Sequence, residues 1–387
     1  KRDRNHPSVI FWSLGNECGT GSNFSGMYNK VKNLDSRLIH NEQNQSYSDL
    51  GSNMYPTVST VSSNKSGYKG KPYFICEYAH AMGNAVGNLQ EYWDIIEGST
   101  GIIGGCIWDF VDQSIYNPDK LKAGTLKDSN GFNYYVSGYD YNSTSGVNYG
   151  FQGNFLNNGL ITADRQWSAE LSEVKNVYKN VNFSSLSGNV LTIKNKNSFA
   201  NLSKYALQWY VLKDGRRVEG GIVSMPSIAA GTSGTVKVPY TTSTTTDAEY
   251  ILHVQLCLAD NELWAGKGYP LAEGEFTLAS WPSLPTVSTA SGSIKVSGAT
   301  VSGTTPEGKA WSMSFSNGKM SSWTYNGQSL MYAAPDFNSY RDIDNDRSLS
   351  AACVNSSSTS VTSALSKSGN KATMTMEGAA TDCSYTI

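Results

Sequence analysis

The stretch VIFWSLGNE, residues 9–17, is an apolar run that ends on an amide and a carboxylate. Its length and its Val, Ile, Phe and Trp suit a strand buried on both faces, as strands of parallel sheets are. Similar runs follow at 38–40, 52–55, 73–76 and 102–108. Between them Met27, Val31 and Leu34, and then Leu89, Trp93 and Ile96, recur at helical spacing. Several runs end on polar groups: Asn16-Glu17, Asn41-Glu42, Tyr55, Glu77 and Asp109. Polar residues at the carboxyl ends of parallel strands are the pattern of the catalytic face of a (β/α)8 barrel. Five strand–helix units are readable where a closed barrel has eight, so the other three are expected before Lys1.

From about residue 181 the pattern changes. Alternating runs at 190–193, 205–211 and 250–258 are separated by Gly, Asn and Ser, with no helical spacing, which predicts a β-sandwich. Trp281-Pro282-Ser283-Leu284-Pro285 has the composition of a stiff linker. A Ser-, Gly- and Thr-rich β segment follows to Ile387. The expected domains are 1–180, 181–280 and 289–387. The N-terminus shows neither a start methionine nor a signal-peptide pattern, so the chain reads as a piece of a longer protein. Cytoplasm and periplasm both stay open as compartments.

The 30 basic and 32 acidic residues leave a net charge of −2, and no Lys/Arg-rich run occurs. Nucleic acid and acidic membrane surfaces are therefore not expected partners. No apolar run reaches the roughly 18 residues that a membrane span needs. The 23 Tyr and 9 Trp fit sugar binding, and equally fit plain β structure. The 6 cysteines form no CxxC pair and no Cys/His cluster, which argues against a zinc site or a disulfide framework. Cys76 and Cys106, inside apolar runs, read as small buried residues.

Glu17 and Glu77 each end a barrel strand. Two facing carboxyl groups are what cleavage of a glycosidic bond requires: one protonates the leaving oxygen, the other attacks the anomeric carbon or activates water. On spacing alone, strand-end glutamates serve ion pairs just as well.

The motifs say more. RDRNHPSVIFWSLGNECGTG (2–21) resembles the acid/base signature of glycoside hydrolase family 2, in which Asn-Glu ends the fourth barrel strand. FICEYAHAMGN (74–84) resembles the nucleophile segment of that family's β-galactosidases, GGCIWDFVDQS (104–114) their eighth strand, and NNGLITADR (157–165) a following active-site loop. The four stand in the family's order and cover most of residues 1–180. A weaker similarity at DFNSYRDIDND (336–346) resembles the start of the family's large C-terminal β domain.

The resemblance implies a multidomain chain: a partial (β/α)8 TIM barrel holding strands 4–8, an immunoglobulin-like β-sandwich, and the start of a large β-sandwich. It implies Glu17 as general acid/base and Glu77 as nucleophile of a retaining mechanism. Asn16 would sit beside the sugar 2-hydroxyl, Tyr55 against the nucleophile, His80 on galactose hydroxyls and Trp108 under the sugar's apolar face. Met54 would form pocket wall, and Asn158 would lie near the sugar and a sodium ion to which Phe155 offers its carbonyl. The family's Mg²⁺ would keep only Glu17 here, because its other protein ligands lie upstream, and the sodium site likewise loses an upstream aspartate. Cys18 stands where a small residue such as Ser is usual.

The implied reaction is hydrolysis of terminal non-reducing β-D-galactosides with retention, by the full-length protein, with these 387 residues alone inactive. A β-galactoside is the expected partner, and a homo-oligomer is compatible with the resemblance. The alternatives are another specificity of the family, β-glucuronidase or β-mannosidase, and a non-catalytic carbohydrate-binding or structural fragment.

Overall fold

A computed structural model describes residues 1–387 except 84, 137–155, 246, 282–293, 318, 335–360, 381–382 and 387. The apolar runs of the first part are strands. β1 (Phe11–Ser13) and β2 (Leu38–His40) pair in parallel, and β3 (Gly51–Met54), β4 (Tyr73–Tyr78) and β5 (Ile102–Ile107) form a second parallel sheet with β4 in the middle. Parallel neighbours need a crossover. Three are helical: α1 (Asn23–Lys32) after β1, α2 (Val58–Ser63) after β3 and α3 (Leu89–Glu97) after β4.

Local chemistry sets these helices. Thr57 caps α2 by accepting a hydrogen bond from the Thr60 amide at 3.1 Å. Lys30 and Lys32 place positive charge in the last turn of α1, where the helix dipole favours it. The buried face of α1 differs from the expected one. Phe24, Tyr28 and Val31 pack on Leu14 and Ile39, while Met27 is 39% exposed and Leu34 lies past the helix end. The aromatic residues at 24 and 28 offer more apolar surface than the Met27 stripe, so they take the inward face.

Between β2 and β3 no α-helix forms, because the connection is short and holds only a single 3₁₀ turn at Gln45–Tyr47. Side chains fill this seam. Asp49 accepts from the Ile39 amide at 2.7 Å and from the Tyr28 hydroxyl at 2.6 Å, and pairs with Lys32 at 2.7 Å. The main core of this part joins Tyr73, Ile75 and Tyr78 of β4 to Leu89 and Ile96 of α3 and to Val174 and Val177. The buried Tyr78 hydroxyl is satisfied by the Trp93 indole N–H at 2.9 Å and the Tyr178 hydroxyl at 2.5 Å. Cys106, on the outer strand of its sheet, is exposed rather than buried.

Beyond β5, β6 (Ile115–Tyr116) pairs with β7 (Tyr135–Val136) around α4 (Pro118–Lys122). α5 (Ala169–Val177), capped by Ser168, leads into a pair of antiparallel sheets. One is ordered β12 (Ser233–Lys237), β9 (Val190–Asn195), β8 (Val181–Ser187). The other is ordered β11 (Arg216–Ser224), β10 (Tyr205–Lys213), β13 (Tyr250–Leu258), β14 (Pro270–Ala279). Alternation decides which side chains meet between them: Leu207, Trp209 and Val211 of β10 and Leu252, Val254 and Leu256 of β13 face Leu191 and Ile193 of β9. Lys196 pairs with Glu97 at 2.5 Å, tying this sandwich to α3.

A second compact unit spans 283–387. It holds an antiparallel sheet in chain order, β15 (Lys295–Ser297), β16 (Thr300–Thr304), β17 (Ala310–Ser316), β18 (Lys319–Tyr325) and β19 (Gln328–Ser329). A three-stranded sheet follows, β20 (Val361–Ser368), β21 (Lys371–Ala380) and β22 (Cys383–Thr386). The segment 336–346 and the linker beyond Trp281 lie outside the described residues. Among the described residues no helix is long and apolar enough to cross a membrane.

Candidate active site

A cleft of about 400 Å³ opens at the carboxyl ends of the parallel strands, lined by Asn16, Glu17, Tyr55, Glu77, His80, Trp108, Gln113, Leu156 and Asn158. Each arrives by a local device. After β1, Leu14 is anchored by its amide to the His40 carbonyl at 3.0 Å. The chain then turns at Gly15, whose φ is +143° and where a Cβ would sit 2.8 Å from Cys18 Sγ. Glu17 follows with a φ of 49°, a left-handed conformation that costs a side-chain residue about 1–3 kcal/mol and clusters at functional sites. Tyr55, at the end of β3, shares that geometry with a φ of 47°.

Glu77 lies inside β4, not beyond it. The pairing with β3 steps from Asn53↔Ile75 to Met54↔Glu77, so Cys76 is an extra residue on β4. The pairing with β5 slips at the same place, between Ile75 and Tyr78. Such a bulge re-aims the side chain next to it. The Tyr55 amide donates to the Glu77 carbonyl at 2.7 Å. Burial, then the hydrogen bond to the Glu77 carboxylate, push the Tyr55 phenol far above its ordinary pKa, so it stays a donor.

His80 stands just past β4, its ring 6.2 Å from that of Tyr55, and burial lowers its pKa. Trp108 follows β5; its amide donates to the Tyr78 carbonyl at 3.1 Å, and its carbonyl accepts from Ala81 at 2.7 Å. The Trp108–Asp109 peptide is cis. The loop at 156–161 is laced onto 109–113: Asp109 N–H to Asn158 O at 2.8 Å, Gln113 N–H to Leu156 O at 2.9 Å, and Gly159 N–H to Asp112 Oδ1 at 2.8 Å. Burial raises the Asp112 pKa against that last bond. A Cβ at Gly159 would lie 2.1 Å from the Asp112 amide nitrogen, so any larger residue must push the two backbones apart. Asn158 is thereby held 2% exposed at the cleft wall.

The cleft thus gathers Asn16, Glu17, Tyr55, Glu77, His80, Trp108 and Asn158. Met54 of β3 pairs with Glu77 of β4 but does not line the cleft. Phe155 lies outside the described residues. Gln113 and Leu156 join the wall without having been singled out. A third carboxylate feels the charge of both glutamates without lining the cleft: burial, then Glu17 and Glu77, raise the pKa of Glu42. Asn41-Glu42 ends β2 much as Asn16-Glu17 ends β1, the parallel that marks it among the strand-end polar groups of the sequence.

Among the described residues no group of three or more His, Cys, Asp or Glu side chains is placed to hold a metal ion. Glu17 and Asn158 offer one carboxylate and one amide oxygen, too few for Mg²⁺.

Residues 1–183 match the family model described as glycosyl hydrolases family 2, TIM barrel domain, and residues 191–279 the model described as beta-galactosidase, domain 4. A beta-galactosidase of Priestia megaterium is 36% identical over 306 residues, which covers 76% of this chain and 28% of the relative. One of Photobacterium profundum is 33% identical over 370 residues, covering 89% of this chain and 34% of the relative. The chain spans about a third of the length of these curated relatives. A solved FMN-binding beta-glucuronidase from Facaelibacterium prausnitzii L2-6 is 14% identical over 73% of this chain and 42% of its own, with a TM-score of 0.29, too low to carry an argument.

Proposed function

Because the chain belongs to glycosyl hydrolase family 2, with a TIM barrel domain followed by a β domain, we propose that the full-length protein hydrolyses terminal non-reducing β-D-galactosides with retention of configuration. In this reading residues 1–180 are strands 4–8 of the barrel, 181–280 an immunoglobulin-like sandwich, and 289–387 the start of the large C-terminal β domain. The observation that supports it most is the cleft in which Glu17 and Glu77 face the same space beside Tyr55, His80 and Trp108.

The reaction follows from those groups. A Glu77 oxygen attacks the anomeric carbon from the face opposite the leaving group, while Glu17 passes its proton to the glycosidic oxygen as that bond breaks. The product is a glycosyl ester on Glu77. Glu17, now a carboxylate, takes a proton from water, whose oxygen attacks the anomeric carbon and returns Glu77 to its ionised form. Two inversions give retention, which calls for carboxyl groups about 5–5.5 Å apart. The Tyr55 hydroxyl orients the Glu77 carboxylate. Trp108 supplies an apolar platform for the sugar, and Asn16, His80 and Asn158 supply polar contacts to its hydroxyls.

The test compares nitrophenyl β-galactoside with nitrophenyl β-glucuronide, using the full-length protein and its Glu77→Gln variant, with the first-formed anomer followed by NMR. The reading predicts a preference for the galactoside, a β-configured first product, and a loss of many orders of magnitude in the variant. Dominant glucuronide cleavage, or a first product of α configuration, would refute it.

A further inference from the structure

The ladders of the two parallel sheets stop at β2 and β3, and His40 stands at that seam, 5% exposed. Its Nδ1 lies 3.1 Å from Ser13 Oγ on β1, and its Nε2 lies 2.9 Å from Ser52 Oγ on β3. Ser52 also hydrogen-bonds Cys76 on β4, whose thiol donates to the Asn53 carbonyl at 3.4 Å. At the other end, the Ser13 hydroxyl reaches the Gly15 carbonyl at 3.4 Å. Phe74 meets the imidazole edge-on at 5.4 Å, and Phe11 lies 6.2 Å away. Burial lowers the imidazole pKa, so the ring is neutral, with one nitrogen donating and the other accepting.

This relay crosses four strands, and its members stand close in sequence to the cleft residues. Ser13 precedes Asn16-Glu17, Ser52 precedes Tyr55, and Cys76 immediately precedes Glu77. We infer that His40 is a positioning residue that sets the placement of Glu17 relative to Glu77 and Tyr55, by joining through its two ring nitrogens the strands that carry them. Plain core filling does not need two nitrogens. A phenylalanine would occupy the same aromatic niche, whereas the seam has no backbone ladder to hold it in the absence of the imidazole. A displacement of about 1 Å between reacting groups can lower a rate about a hundredfold.

The inference rests on the hydrolase reading, and its test separates the two. In the full-length protein, His40→Phe is expected to lower kcat on nitrophenyl β-galactoside about a hundredfold with KM nearly unchanged, measured well below its melting temperature. His40→Gln keeps a donor nitrogen and an acceptor oxygen in one side chain, and should restore most of kcat. Should His40→Phe fail to fold, Ser52→Ala removes one bond from the same ring and should lower kcat by a smaller factor, again at constant KM. Full kcat in the Phe or Ala variant, with only a lower melting temperature, would overturn the inference. Where the unmodified protein cleaves no β-galactoside, the hydrolase reading fails by itself. The relay is then judged by the crystal structure of the His40→Phe protein: a shift of Glu17 relative to Glu77 supports it, and unchanged positions refute it.

Discussion

Glu42 lies within reach of the negative charge of Glu17 and Glu77. Burial, then Glu17 and Glu77, hold its pKa above the ordinary carboxylate value. A carboxyl group with a raised folded pKa costs no stability below its unfolded pKa, and the cost grows as pH rises through the folded one. Glu42→Gln should therefore raise the melting temperature of the full-length protein at pH 7, with the gain vanishing near pH 4. A gain that persists at pH 4 would mean that charge is not its source. Glu17 and Glu77 could be read from sequence because each stands at the end of an apolar run in a recurring motif. Glu42 has the same position but no motif around it. The bulge at Cys76 that aims Glu77 was not readable at all, since register belongs to the neighbouring strands and not to the run itself.

Apolar runs announced β1 to β5 because strands of parallel sheets are rich in apolar side chains, though the outer strand β5 leaves Ile103 and Cys106 exposed. The helices were less readable. Helical spacing marks Met27, Val31 and Leu34 in α1, but its neighbours Leu14 and Ile39 receive Phe24, Tyr28 and Val31. Spacing alone does not choose between two overlapping stripes. The loop at 156–161 was recognised by motif, while its fastening to 109–113 depends on an approach that only glycine allows. Gly159→Ala should lower stability by about 1–3 kcal/mol through overpacking, and should raise KM by shifting Asn158 at the cleft wall. Denaturant unfolding and initial-rate kinetics of the variant check both. A variant as stable as the parent would show that the backbone gives way at little cost.

Over the whole molecule, 30 basic and 32 acidic residues nearly balance, and Glu17 and Glu77 meet in one cleft. Among the described residues β1 and β5 each pair along one edge only, and the chain spans about a third of the length of its curated relatives. Unpaired strand edges expose donors and acceptors that a closed barrel would satisfy. The constellation should therefore work within the full-length protein and not in these residues alone. One labelling measurement bears on both points: treat each protein with 2-deoxy-2-fluoro-β-galactosyl fluoride, digest it, and find by mass spectrometry the peptide that gains the sugar. The expected result is one fluorosugar on the peptide carrying Glu77 of the full-length protein, with activity lost in step, and no label on the isolated chain. Label on any other carboxylate, or loss of activity with Glu77 unlabelled, would contradict it.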